Sequence, residues 1–264
     1  MTDVSQRHDA VLVSREGAVC CLQLNRPQNL NSVNREMIGD IRAALADAER
    51  DPSVRVVVIV GSDRAFMAGA DLSLFQENLD AAPQTAAELI DGFHAMLREM
   101  RGMTTPIVAG LTGAVAGGGL GFALSCDLCV MADNARLLSA YSKIGTSPDA
   151  GTTWSLTHLL GRRRALEMMW LNDAMSAETA LSLGLVNKVV PADRLRSEAL
   201  DMAKRIACGP PETNRRIKAL VEQACTSDFD AQLDREKAGF QQAATSEEFR
   251  EGITAFFERR PARF

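Results

Sequence analysis

Arg55-Val-Val-Val-Ile-Val60 runs directly into Gly61-Ser-Asp-Arg-Ala-Phe-Met-Ala-Gly-Ala-Asp71, and this passage from an all-apolar stretch to a small-residue loop decides the fold class. An uninterrupted apolar run of this length is the pattern of a strand covered on both faces, the usual state of a strand in a parallel sheet flanked by helices. Working upstream, Met37, Ile41, Ala44, Leu45 and Ala48 fall at helical spacing. Asn31 or Ser32 is placed to cap that helix and Asp51-Pro52 to end it. Before it, Ala18 to Leu24 reads as a short apolar strand stopped by Asn25-Arg26-Pro27. Downstream, residues 76–85 carry Asn78, Asp80 and Pro83 without periodicity and read as a surface loop. A helix over 85–103 follows, with Leu89, Phe93, Met96, Leu97 and Met100 on one face, then buried strands at 106–110 and 128–131. From Thr152 the pattern is helical, over 152–170, 176–183, 192–208, 212–225 and 230–257, with one strand at 186–190. Strands alternating with helices and then helices alone predict an α/β core over residues 1–190 and a helical region over 191–264.

Composition narrows the function classes. The chain has 264 residues, 46% of them hydrophobic and 24% charged, which excludes a disordered or collagen-like polypeptide. A formal net charge of -5 argues against nucleic acid or an anionic membrane as the main partner. No apolar run approaches the roughly 18 residues of a membrane span, and the polar opening MTDVSQRHDA lacks the layout of a secretory signal. The expectation is a soluble, cytoplasmic protein. Six cysteines in a chain this long do not form a disulfide framework, and Cys126-Asp-Leu-Cys129 has no second Cys/His pair at metal spacing. Core thiols and no metal site are expected.

Chemistry points to the glycines. Gly117-Gly118-Gly119-Leu120-Gly121 lies between a strand and a helix, where free N–H groups at a helix start favour negative charge. A dinucleotide fingerprint fails because Leu124 stands where its third glycine belongs, and no GxxxxGK[ST] phosphate loop occurs. An oxyanion site for a carbonyl remains, beside the plainer reading of a tight turn. Ala68-Gly69-Ala70-Asp71 also follows a buried strand and supplies a second candidate donor. Two converging donors make an oxyanion hole, each contributing about 3–4 kcal/mol in the transition state.

Asn25-Arg-Pro with Leu30-Asn31, then 65–71, 113–121, Cys126-Asp127, Ile144-Gly-Thr-Ser-Pro-Asp-Ala-Gly151 and Gly184-Leu-Val-Asn-Lys-Val-Val190 together resemble the crotonase, or enoyl-CoA hydratase/isomerase, superfamily. The resemblance spans about Val11 to Phe257. It implies a spiral of repeated ββα turns with a helical C-terminal trimerisation region, a homotrimer or dimer of trimers, and acyl-CoA thioester substrates. No cofactor is implied beyond the CoA moiety of the substrate. By position it implies oxyanion donors at Ala70 and Gly118. It also implies a CoA site using Arg26, Leu30, Ala68, Asp71 and Leu72, with Phe256 reaching CoA bound mainly by a neighbouring subunit.

Hydratases of this superfamily resemble one another in carrying two glutamates, at positions held here by Gly121 and Tyr141. Adding water across a double bond needs a base and an acid, and neither residue supplies that pair. Asp149 matches the acid of the double-bond-shifting isomerases, which need one group that removes a proton and returns it elsewhere; its plainer reading is a helix N-cap. Isomerisation of an enoyl-CoA with Asp149 as acid/base is therefore the expectation. The alternatives are hydratase-type activity, an aryl-CoA dehalogenase with Asp149 as nucleophile and His94 as base, and a non-catalytic acyl-CoA binder. His94 otherwise reads as a polar residue solvating the pocket mouth. Trp154 and Trp170 read as core or subunit contacts, Arg162-Arg-Arg164 as a solvated face, and His158 as structural.

Overall fold

The structure is a computed structural model that describes residues 6–8 and 10–264. The segment read for a secretory signal lies largely outside the described residues. Strands β1 (Gln6–His8), β2 (Val11–Glu16) and β3 (Val19–Leu24) form an antiparallel meander in which Val11 faces Leu24 and Glu16 faces Val19. Helix α1 (Arg35–Arg50) follows, and its cap is Asn34, whose side chain accepts the Met37 amide. The cap expected at Asn31 or Ser32 is thus displaced, because Asn31 is buried and bonded elsewhere.

A three-part unit then repeats: a strand, a sharp turn into a second short strand, and a helix. Its first copy is β4 (Val56–Val60), β5 (Ala65–Met67) and, after the short α2 (Ser73–Gln76), α3 (Ala82–Gly102). The second is β6 (Ile107–Leu111), β7 (Ala114–Ala116) and α4 (Gly118–Leu124). The third is β8 (Leu128–Ala132), β9 (Arg136–Leu138) and α5 (Thr152–Leu160). Helix α6 (Arg162–Leu171), β10 (Met175–Ser176), α7 (Ala177–Ser182), β11 (Lys188–Val190) and α8 (Leu195–Ala207) complete the core. The helices α9 (Pro211–Ala224), α10 (Phe229–Ala243) and α11 (Glu247–Glu258) end the chain.

Each repeat gives one strand to each of two sheets. The larger has the order β1-β2-β3-β4-β6-β8-β11 and is parallel from β3 onward; the smaller has the order β10-β9-β7-β5. All of Val56–Val60 is buried, as its apolar run requires, and each such side chain contributes about 1.5–3 kcal/mol by leaving water. In the smaller sheet β5, β7 and β9 are parallel neighbours. The chain therefore leaves all three at the same end. This is the arrangement in which ligand sites form beyond the carboxyl ends of strands.

Several expectations are corrected. Residues 76–85 are mostly exposed but not a plain loop: a tight turn at Leu79–Ala81 leads into α3, with Pro83 in its first turn where no amide is needed. The helix expected over 152–170 is two, broken at Gly161 with φ +75°. The helix expected over 230–257 breaks at Ser246, whose hydroxyl caps α11 by accepting the Phe249 amide. The helical region expected from residue 191 opens with α8, whose Leu195, Ala199, Leu200 and Ala203 belong to the sheet's core. Trp154 and Trp170 are not core residues; Trp170 is 70% exposed. Trp154 lies between His158, stacked on it, and the Arg101 guanidinium over its ring.

Beyond α8 the character changes. Helices α9 and α10 bury no residue and α11 buries only Ala255, while Ile217, Val221, Phe229, Phe240, Phe256 and Phe257 are exposed. Among the described residues no helix is long and apolar enough to cross a membrane, and no group of acidic, histidine and cysteine side chains is gathered to hold a metal ion. Cys126 and Cys129 are free thiols that donate to the Phe122 and Ala123 carbonyls. Burial pushes the Cys129 thiol up to about 12, with the Asp127 charge adding to it.

Candidate active site

The segment after β5 is held by a buried lattice of polar bonds. Asn31, fully buried, donates to the Ala65 carbonyl at 2.9 Å and the Phe66 carbonyl at 3.2 Å, and accepts the Arg26 amide at 2.9 Å. The Arg26 guanidinium bonds Asp71 at 2.8 Å and also donates to the Ser32 carbonyl. With side-chain exposures of 14% and 9%, Arg26 and Asp71 form a largely buried ion pair. Burial opposes the charge on Asp71, but hydrogen bonds from Arg26 and Ser73 and the Arg26 charge hold its carboxyl below the usual carboxylate range. The Leu30 carbonyl accepts the Ala68 amide at 3.1 Å. Arg26, Leu30, Ala68 and Asp71, expected together from sequence, are thus brought together. Leu72 is exposed beside them, and Phe256 lies on the outer face of α11 with Phe257 as its ring neighbour. The Arg26 guanidinium is committed to protein acceptors, so its effect is to lock the loop.

That lock aims one amide. Ala70 bridges Val33 in parallel, and the bridge is made by Val33 donating to Gly69 and Asp71 donating to Val33. A parallel bridge of this kind turns the Ala70 N–H away from Val33, and it has no backbone acceptor among the described residues. Across from it, Gly117 with φ +53° follows β7 and caps α4, and the first-turn Gly118 amide has no backbone acceptor among the described residues. The two segments touch: a Cβ on Gly69 would lie 3.6 Å from the Gly118 nitrogen, and one on Gly117 would lie 3.6 Å from the Gly69 Cα. Gly69 (φ +94°) and Gly117 (φ +53°) both hold a backbone conformation that favours glycine, and a Cβ on Gly69 would also crowd the Ala116 carbonyl oxygen at 3.2 Å.

The third segment, after β9, carries Asp149. Tyr141 is buried and donates its hydroxyl to Asp149 Oδ1 at 2.6 Å, with Thr152 Oγ1 3.2 Å away. Burial first, and then the Asp149 carboxylate, push the Tyr141 phenol well above its ordinary value, so it stays a hydrogen-bond donor. Asp149 does not cap a helix; the N-cap of α5 is Gly151, and the Asp149 side chain turns to Tyr141 instead. Its Oδ1 lies 3.7 Å from where a Cβ on Gly118 would be. The carboxylate therefore stands beside the Gly118 donor. His94, on α3, accepts the Ala150 amide through Nε2 at 3.1 Å. That ring nitrogen serves the backbone, which removes it from the role of base assigned in the dehalogenase reading.

Gly121 faces the same loop. A Cβ there would sit 2.3 Å from the Ala150 carbonyl oxygen and 2.8 Å from both the Ala150 Cβ and Thr152 Oγ1. The loop behind Asp149 fills the notch that any side chain at 121 would need. Sequence reasoning misses Asn31 as a clamp and Thr152 as a partner of Tyr141; the first reads as a helix cap and the second as an ordinary helix-start threonine. A cleft of about 640 Å³, lined in part by His94, Ala150 and Gly151, lies between α3, α5 and α9. Its charged residues Lys218 and Asp127 pair at 2.8 Å, and Arg101 pairs with Glu222.

The model of the enoyl-CoA hydratase/isomerase family matches residues 14–264. The chain belongs to the enoyl-CoA hydratase/isomerase family. Among its relatives, the 1,2-epoxyphenylacetyl-CoA isomerase of Escherichia coli is 34% identical, over 96% of this chain and 97% of the relative. The crotonyl-CoA hydratase of Syntrophomonas wolfei is 31% identical, over 97% and 98%. The crystal structure of an enoyl-CoA hydratase from Polaromonas superposes with a TM-score of 0.93 at 36% identity, over 96% and 98% of the two chains. The crotonase fold, with its ββα turns and helical C-terminal region, is therefore that of this family.

Proposed function

We propose that this family member acts on acyl-CoA thioesters and shifts the double bond of an enoyl-CoA, with Asp149 as the single acid/base. The observation that carries the reading is the Asp149 carboxylate, oriented by Tyr141 at 2.6 Å and standing beside the Gly118 amide. The thioester oxygen would accept from the Ala70 and Gly118 amides. Asp149 would take a proton from the α-carbon, and the electron pair would pass into the thioester as an enolate held by the two amides. The same carboxyl would then return the proton at the γ-carbon, leaving the double bond one position nearer the thioester. No water is added and no second acid is required.

The hydratase names of many relatives support the CoA thioester as substrate class. Hydration itself is disfavoured by Gly121, where the Ala150 carbonyl leaves no room for a glutamate. The Escherichia coli relative's name favours one second reading, in which the substrate is an epoxyphenylacetyl-CoA isomerised without change of mass. The CoA is proposed to lie against Arg26, Leu30, Ala68, Asp71 and Leu72. The exposed apolar faces of α9 to α11 support assembly as a homotrimer or dimer of trimers, in which Phe256 would meet CoA held by the neighbour. The mass of the assembly in solution tests that part.

The activity is tested by presenting 3-enoyl-, 2-enoyl- and epoxyarylacetyl-CoA thioesters and reading products by mass and chromatography. The proposal expects 3-enoyl-CoA to yield a product of unchanged mass with a conjugated double bond. A product heavier by one water, or no turnover of any of them, would overturn it.

A further inference from the structure

Ala150 directly follows Asp149 in its loop. It is fully buried and has φ +54°, the left-handed region that a residue with a Cβ avoids, and Gly151 follows at φ +68°. A non-glycine residue held there costs on the order of 1–3 kcal/mol and persists only where its surroundings dictate it. Two of those surroundings are the notch at Gly121 that receives the Ala150 carbonyl and the Thr152 amide that donates to the Asp149 carbonyl at 3.0 Å. The third is His94, 56 residues away in sequence, whose Nε2 accepts the Ala150 N–H at 3.1 Å. No other acceptor serves that buried amide among the described residues, and a buried amide without one is strongly disfavoured.

We propose that His94 is a positioning residue: by accepting the Ala150 amide it fixes the backbone next to Asp149 and so holds the carboxylate beside the Gly118 donor. The assignment rests on the isomerase reading for its kinetic consequence, but not for its structural one. It requires a neutral imidazole with its proton on Nδ1, since a protonated Nε2 would set one donor against another. The residue does not touch the reacting atoms. Its effect passes through one peptide bond.

Glutamine places its carbonyl oxygen where histidine has Nε2, whereas alanine offers no acceptor, and this pair of variants isolates the bond. Misplacing a reacting group by about 1 Å can cost about a hundredfold in rate, so His94→Ala is expected to lose roughly tenfold to a hundredfold in kcat with KM within about twofold. His94→Gln is expected to recover most of that loss. Independently of any substrate, amide hydrogen exchange at Ala150 should quicken in His94→Ala and stay slow in His94→Gln. Nitrogen NMR of the wild-type ring should show Nδ1 protonated and Nε2 bare. Unchanged Ala150 exchange in a folded His94→Ala protein, or a proton on Nε2, overturns the assignment. So does a His94→Gln protein as impaired as His94→Ala in both readouts. Wild-type protein inert toward enoyl-CoA would sink the isomerase reading alone, leaving the exchange data to decide for His94.

Discussion

The two sides of the site are built differently. The side that presents the Ala70 amide is anchored by a buried ion pair between Arg26 and Asp71 and by Asn31, which alone joins the Arg26 amide to two carbonyls of β5. The side that presents Asp149 runs through exposed residues 142–147 and is fixed at its ends by single bonds: Tyr141 to the carboxylate, His94 to Ala150, and Thr152 to the Asp149 carbonyl. The proposed oxyanion donor is embedded in the fold, whereas the group proposed to exchange protons is tethered by bonds that each set one degree of freedom. Damage to the first side should therefore register mainly as lost stability, and damage to the second mainly as lost rate.

The largest effect is expected on the second side. Asp149→Asn keeps the shape and removes the proposed base, so kcat should fall by at least about a hundredfold, with thermal stability and CoA-ester affinity nearly unchanged. A variant that keeps its turnover would break the contrast at its strongest point.

On the first side, Asp71→Asn leaves the Arg26 charge largely buried without its partner, a change that costs about 3 kcal/mol. Urea denaturation measures this. Because the Asp71 carboxyl is held below its usual range, the stability it confers is fully present above the unfolded value of about 4 and disappears as pH falls through the folded value. The wild type should thus lose stability on acidification through this group, and Asp71→Asn should lack that component. Equal stability of the two proteins at neutral pH would contradict the embedding of this side.

Smaller effects sharpen the picture of the tether. Tyr141→Phe removes the hydroxyl bond to the carboxylate, and a loss of about 1.5 kcal/mol, or roughly tenfold in kcat, is expected. The chain has a single tyrosine, so ultraviolet absorbance reports its ionisation directly. With the phenol pushed up by burial and by Asp149, no tyrosinate should form as pH passes the free value of about 10 until the protein unfolds in alkali. The neutral form favoured in the fold adds stability below that value, and this is lost as pH rises above it. Tyrosinate appearing near its free value in folded protein would mean that Tyr141 is neither buried nor bonded to Asp149 in solution.

Legibility in the sequence follows physical signal. The runs Val56–Val60 and Ile107–Leu111 are legible because burial on both faces leaves an all-apolar record, and α1 because its apolar residues recur at helical spacing. The smaller sheet is not, since Ala65–Met67, Ala114–Ala116 and Arg136–Leu138 are each three residues long and too short to establish a period. Yet those three strands bring the site together. The break at Gly161 and the cap at Ser246 carry ordinary helix-stop and helix-start residues, which a long helical pattern on either side outweighs. Within the site, glycines suggest exposed amides, but the choice of Asp149 comes from resemblance. Its bonding to Tyr141 and the link from His94 to Ala150 depend on how the third repeat folds against α3, which no local pattern encodes.

The whole reading turns on Ala70 and Gly118 gripping one thioester oxygen while the side chain at position 149 faces the adjacent carbon. A crystal structure of the Asp149→Asn protein with 3-enoyl-CoA bound examines that arrangement without turnover. The thioester oxygen should lie within about 3 Å of both amide nitrogens, with the substituted side chain at position 149 against the α-carbon. A thioester bound away from those amides, or a side chain at that position turned from the acyl chain, would contradict it.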